Sequence, residues 1–270
     1  MRVSRCLLVL LAAALAGSRP APARTPPTGP SNLSPQWFGT WQLDRSRSHL
    51  VGASITIGRI PHGYHFDFGA VSFNVSDDGR DTTTLGDRTT SIKPLTPNSW
   101  YRVHKVAGNE VDHSTLTLAG DSRTLHIHTI ATALDGIPQA SDESMTRIGP
   151  GAGLAGTWRS TNPGVNVTAL ITIEAAGSGR LTWIFPDQGQ RYTVATDAVP
   201  VTEIGPGVPA TATIAFRRVS DHELQWTERL RGQPFTEGID RLAADGLTLE
   251  ETTWPSHTPA DRQVAVYTRR

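Results

Sequence analysis

Alternation of apolar and polar residues with a period of two recurs along most of the chain. Tyr64-His65-Phe66-Asp67-Phe68 alternates in this way, and Leu181-Thr182-Trp183-Ile184-Phe185 occupies a corresponding place further on. Successive strand side chains point to opposite faces, so this pattern predicts strands buried on one side. The β-branched runs Leu125–Ile130 and Ala169–Glu174 also have strand length. Turn residues separate these segments at Asp78-Gly79, Asp135-Gly136, Asp187-Gln188-Gly189 and Asp245-Gly246. No stretch of ten residues carries a convincing helical period. The expected class is all-β, as two antiparallel up-and-down barrels in tandem.

The pairing of barrels follows from an internal repeat. Gly39-Thr40-Trp41 returns as Gly156-Thr157-Trp158, an offset of 156 − 39 = 117. The same offset carries Tyr64, Phe66 and Phe68 onto Leu181, Trp183 and Phe185. Further on, an offset of 124 carries Gly108 onto Gly232, Leu118 onto Leu242 and Leu125 onto Leu249. About seven extra residues are therefore expected in copy two, with Gly205-Pro206-Gly207-Val208-Pro209 as part of the insertion. Matched order along the whole unit points to duplication. The units are residues 37–148 and 154–270, joined by 149–153.

The N-terminus has the layout of a secretory signal over residues 1–23: Arg2 and Arg5, an apolar run from Leu7 to Leu15, and small residues at Ala14-Leu15-Ala16 or Ala21-Pro22-Ala23. That run is about half the ~20 residues needed to cross a bilayer. The expected destination is the periplasm or the exterior. Residues 24–36, rich in Pro and Ser, are expected to be a flexible leader. Cys6, the only cysteine, leaves with the signal, which removes disulfides, thiolate ligands and a cysteine nucleophile. A formal charge of zero with interspersed signs gives no footing to nucleic acid or anionic lipid.

The Gly-Thr-Trp openings, each followed by a meander of short strands, resemble the lipocalin and calycin group. Gly-Thr-Trp-Gln-Leu-Asp, with Asp245-Gly246-Leu247-Thr248-Leu249 and Val264-Ala265-Val266-Tyr267-Thr268-Arg269 at the other end, is also similar to small exported bacterial proteins of uncharacterised function. The resemblance implies a barrel of about eight strands closed at one end by the tryptophan, with an arginine from a late strand across the indole. Arg147 is thereby expected on Trp41, and Arg269 on Trp158. A competing reading keeps the same arginine inside the cavity as a carboxylate clamp.

Gly151, Gly153 and Gly156 fit G-x-G-x-x-G, but they run into a strand without the helix whose N-terminus holds a pyrophosphate. His126 and His128 share a strand face, with His62 and His65 as distant companions; no third metal ligand is evident, and exposed strand polarity explains them. Asp77-Asp78, Asp142-Glu143 and Glu250-Glu251 read as solvated turns. No nucleophile elbow or His-Glu-x-x-His segment appears, and no cofactor is implied. Tyr64, Phe66, Phe68 and Trp100 in one unit, and Leu181, Trp183, Phe185 and Trp226 in the other, are the expected cavity lining. Three functions remain: a non-enzymatic exported binder of a small apolar or amphipathic molecule, an envelope adaptor with filled barrels, or a calycin-type enzyme on a small lipid or metabolite.

Overall fold

The computed structural model describes residues 33–50, 54–68, 72–85, 88–132, 138–162, 169–186, 190–205, 208–256 and 259–270. The signal segment and the turns at Asp135-Gly136 and 187–189 lie outside these residues.

Twenty strands lie among the described residues. The first ten are β1 (Gly39–Leu43), β2 (Ser54–Ile60), β3 (Gly63–Asp67), β4 (Ser72–Ser76), β5 (Thr82–Leu85), β6 (Arg88–Thr96), β7 (Ser99–Val106), β8 (Asn109–Leu118), β9 (Thr124–Thr132) and β10 (Pro138–Arg147). The second ten are β11 (Gly156–Asn162), β12 (Leu170–Ala175), β13 (Arg180–Phe185), β14 (Gln190–Ala195), β15 (Val201–Thr202), β16 (Ala212–Ser220), β17 (Glu223–Leu230), β18 (Gln233–Leu242), β19 (Thr248–Pro255) and β20 (Gln263–Arg269). They form two nearly closed, all-antiparallel ten-stranded barrels, two strands more per barrel than expected and correspondingly wider.

The duplication holds strand for strand. Even a turn is repeated: Ala107-Gly108 and Arg231-Gly232 each join two strands with both residues at positive φ, as a two-residue type I′ hairpin demands. The added length of copy two falls mainly between β15 and β16, where residues 203–211 replace 86–87. Gly205 and Val208 belong to this connection.

The two copies exchange their first strands. β11 pairs with β10 and β2, so residues 54–162 form one complete barrel in a continuous stretch. β1 pairs with β12 and β20, so the other barrel combines residues 39–43 with 170–269. The cores divide in the same way: Trp41 and Leu43 pack among residues 171–267, and Trp158 among residues 55–145. The sequence units 37–148 and 154–270 therefore differ from the sheets by one strand each. One barrel is nested within the chain of the other, and we call them the central and the outer barrel.

Residues 33–36, expected within the leader, belong to the outer barrel's fold. Leu33 and Trp37 are buried in the outer barrel's core, and Pro35–Trp37 makes one turn of 3₁₀ helix. Trp37 Nε1 donates to the Asp221 carbonyl at 2.7 Å.

The last gap in each ring differs. In the outer barrel Arg191 and Ile204 exchange backbone hydrogen bonds at 2.8 and 2.9 Å, stitching β14 to the residues just after β15. In the central barrel the described residues of β4 and β5 form no ladder, only a long contact from Ser76 N–H to Thr82 Oγ1 at 3.4 Å.

Candidate functional site

Both floors follow one design. The Arg147 guanidinium lies 4.2 Å from the Trp158 ring, and that of Arg269 lies 4.5 Å from Trp41. The sequence expectation joined these residues the other way round, and the strand exchange is the reason. Arg147, residues 148–155 and Trp158 form one short stretch, so this cap closes through local contacts. Arg147 donates to the carbonyls of Ser122 (3.0 Å), Gly153 (2.7 Å) and Ala155. Arg269 donates to those of Gly246 (2.8 Å), Phe38 (2.7 Å) and Gln36. The indoles donate equivalently, Trp158 to Leu154 at 2.9 Å and Trp41 to Trp37 at 3.2 Å. Burial pushes the Arg147 pKa down, though a guanidinium stays charged at neutral pH.

This geometry explains the motif glycine. Gly156 has φ +152°, and a Cβ there would meet Arg147 Nη1 at 2.4 Å; Gly39 has φ +142° with Arg269 Nη1 at 2.9 Å. The G-x-G-x-x-G stretch likewise turns carbonyls toward a cation, the opposite of a phosphate cradle. Each guanidinium thus faces an indole and donates to three backbone carbonyls.

Above the central floor the lining is aromatic and aliphatic. Tyr64 and Phe66 are buried, and Phe68 and Phe73 pack against them at the edge of this cluster. Phe66 stacks on Phe73 at 5.7 Å and on Phe68 at 6.4 Å. Trp100 Nε1 donates to Tyr64 Oη at 3.0 Å. Leu116, Ile127 and Met145 complete this layer.

Higher still the lining becomes charged. Arg102 and His104 follow Trp100 at two-residue steps on β7, so all three face inward. Arg102 Nη2 donates to Ser114 Oγ at 3.1 Å, which bonds Thr129 Oγ1 at 2.9 Å. Arg102 Nε has no hydrogen-bond partner. Burial lowers the Arg102 pKa, opposed by the charges of Asp112 and Glu143. Asp112 Oδ1 lies 3.5 Å from His104 Nδ1, and its side chain keeps 25% of its accessible surface despite lying within the barrel wall. Burial pushes the Asp112 carboxyl up, but the charge and hydrogen bond of His104, with the charges of Arg102 and Arg88, outweigh it and hold it at about 2. On β11, Ser160 is 3% exposed and its Oγ has no partner.

The outer barrel is filled with rings at the matching depth. Trp183 stacks on Phe216 at 5.5 Å, and Phe216 and Phe185 each lie about 6 Å from Tyr192. Leu181 and Trp226 are buried in the same cluster. The eight expected lining residues thus divide four and four between the barrels, because none lies on the exchanged strands.

The charged layer was missed. Its signal was the two-residue step from Trp100 to Arg102 and His104, and from Trp226 to Glu228. Two adjacent-carboxylate pairs also need correction: Glu143 and Glu251 are 8% and 2% exposed on strands, not in solvated turns. Their neighbours Asp142 and Glu250 face outward, near His128 (2.7 Å) and Arg241 (4.0 Å). Asp77-Asp78 does occupy a turn. His126 and His128 are exposed beside Ser144 and Asp142, His65 bonds Asn74, and His62 is an exposed turn residue with φ 60°. No group of three metal-ligating side chains is found among the described residues, and no helix among them is long and apolar enough to cross a membrane.

No family model matches the chain, and no curated protein matches its sequence.

Proposed function

We propose that the protein is an exported, non-enzymatic carrier of lipocalin-like type, whose central barrel binds a small amphipathic molecule with an acidic head. The carrying observation is Arg102, an enclosed guanidinium with an unpartnered Nε above an apolar layer. A carboxylate accepts from such a fork, while an alkyl or aryl tail replaces water along Trp100, Leu116, Ile127 and Phe66. A ligand would enter where the described residues of β4 and β5 form no ladder. The N-terminal pattern of residues 1–23 supports export.

The test is calorimetric titration of the protein with decanoate and with the neutral decanol. Saturable binding of decanoate at one per chain is expected. A hydrogen bond to a charged group contributes about 1.5–3 kcal/mol, so Arg102→Met should weaken decanoate by about 10- to 100-fold and leave decanol nearly unchanged. No saturable binding, or equal loss of both probes, defeats the reading.

A further inference from the structure

The segment that completes the outer barrel has a counterpart in the central one, contact for contact. At an offset of 153 − 36 = 117, Gln36, Trp37, Phe38 and Trp41 correspond to Gly153, Leu154, Ala155 and Trp158. Arg269 donates to the carbonyls of Gln36 and Phe38 as Arg147 does to those of Gly153 and Ala155. The seats match as well. Trp41 stands between Ile171 and Arg269, and Trp158 between Ile55 and Arg147. Ile171-Thr172-Ile173 on β12 repeats Ile55-Thr56-Ile57 on β2, and Thr268-Arg269 repeats Thr146-Arg147. Facing hydroxyls support the same register in both, Thr40 with Thr172 at 3.2 Å and Thr157 with Thr56 at 3.1 Å. Each seat recognises a Gly-Thr-Trp strand, whichever stretch of chain supplies it.

The two strands are tethered differently. β11 follows β10 of its own barrel after residues 148–155, so the central seat is filled by the adjoining chain. β1 leads through residues 44–53 into the other barrel, and the nearest strand of its own begins at Leu170. The start of that connection is folded back along β20. Asp44 N–H donates to the Val266 carbonyl at 2.7 Å, Val266 N–H to Ser48 Oγ at 2.9 Å, and His49 and Val264 exchange two backbone bonds at 2.8 Å. Released and extended, ten residues reach about 33–36 Å, enough to carry β1 onto an adjacent molecule. The contacts of residues 33–43 are then remade in full, and only those of the connection change. Exchange of an identical element is a low-cost route to a dimer for this reason.

We infer that the seat between β12 and β20 is an interface between two copies of this chain, which trade residues 33–43 so that Trp41 of each lies under Arg269 of the other. This surface is independent of Arg102 and of any ligand. The test uses full-length chains carrying Cys6→Ser. A Thr40→Cys chain and a Thr172→Cys chain are unfolded together and refolded at about 1 mM, near the effective concentration of a short tether, and again after strong dilution. Both samples are oxidised with copper phenanthroline and separated without reductant. A disulfide between the two chains is expected at the high concentration, falling on dilution. It should exceed several-fold the product of a Thr56→Cys chain mixed with a Thr157→Cys chain, whose seat is filled by the adjoining residues. A yield no greater than that control overturns the inference when the double variant Thr40→Cys/Thr172→Cys closes within one chain. Where the double variant does not close, an unsubstituted chain that refolds at the same high concentration without a dimer, by light scattering, has the same force.

Discussion

The two barrels share their floors and differ in their interiors. At the floors, Arg147 and Arg269 each meet an indole and three backbone carbonyls at equivalent positions. Further along the wall, Arg102 faces Ser114 in one barrel and Trp226 faces Gly238 in the other. Each guanidinium is held through several bonds at once, so a single substitution there removes them together. A lining position answers to one or two neighbours, and a paired change suffices to invert its chemistry.

The largest effect should come from separating the strands. Residues 54–162 should fold alone, whereas 163–270 should stay unfolded until a peptide of residues 33–50 supplies β1, Trp37 and Trp41; circular dichroism of the fragments checks this. An outer barrel that folds without the peptide would undo the comparison. Next, Arg147→Ala should cost on the order of 4 kcal/mol from lost charged hydrogen bonds and the indole contact. Hydrogen exchange should place the loss in β2–β11, the sheet of Trp158, and leave β1 protected.

A smaller effect concerns acid. Asp112 is held at about 2, below its ordinary 3.8. Its stabilisation is therefore complete above the unfolded value and fades as pH falls through the folded one. Between roughly pH 4 and 2 the protein should lose about 2 kcal/mol that Asp112→Asn does not lose; denaturant midpoints across that range check it. The smallest effect sharpens the likeness of the floors. Thr40–Thr172 and Thr56–Thr157 hydroxyls meet at 3.2 and 3.1 Å, so Thr40→Val and Thr157→Val should each cost about 0.2–1 kcal/mol, and by similar amounts.

Class and duplication were legible because burial on one face imposes a two-residue period, and Tyr64–Phe68 and Leu181–Phe185 display it openly. The exchange of β1 and β11 was not legible. Gly-Thr-Trp is identical in both, so either tryptophan suits either arginine; the Gly153 and Ala155 carbonyls that receive Arg147 decide. The charged layer was obscured because Arg102, His104 and Glu228 look like outward strand polarity until Trp100 and Trp226 fix the phase. Glu251 was misjudged from its neighbour, although adjacent strand residues point apart.

The pairing of β1 with β20 sets the mechanical behaviour of the molecule. Trp41 lies opposite Arg269 and Leu43 opposite Tyr267, and Arg270 N–H bonds the Thr40 carbonyl at 2.9 Å, so the beginning of one strand lies beside the end of the other. A tension applied at both termini opens this seam like a zipper, one bond at a time, rather than shearing it. The outer barrel yields first under load, and the central one feels no force until its host has come apart.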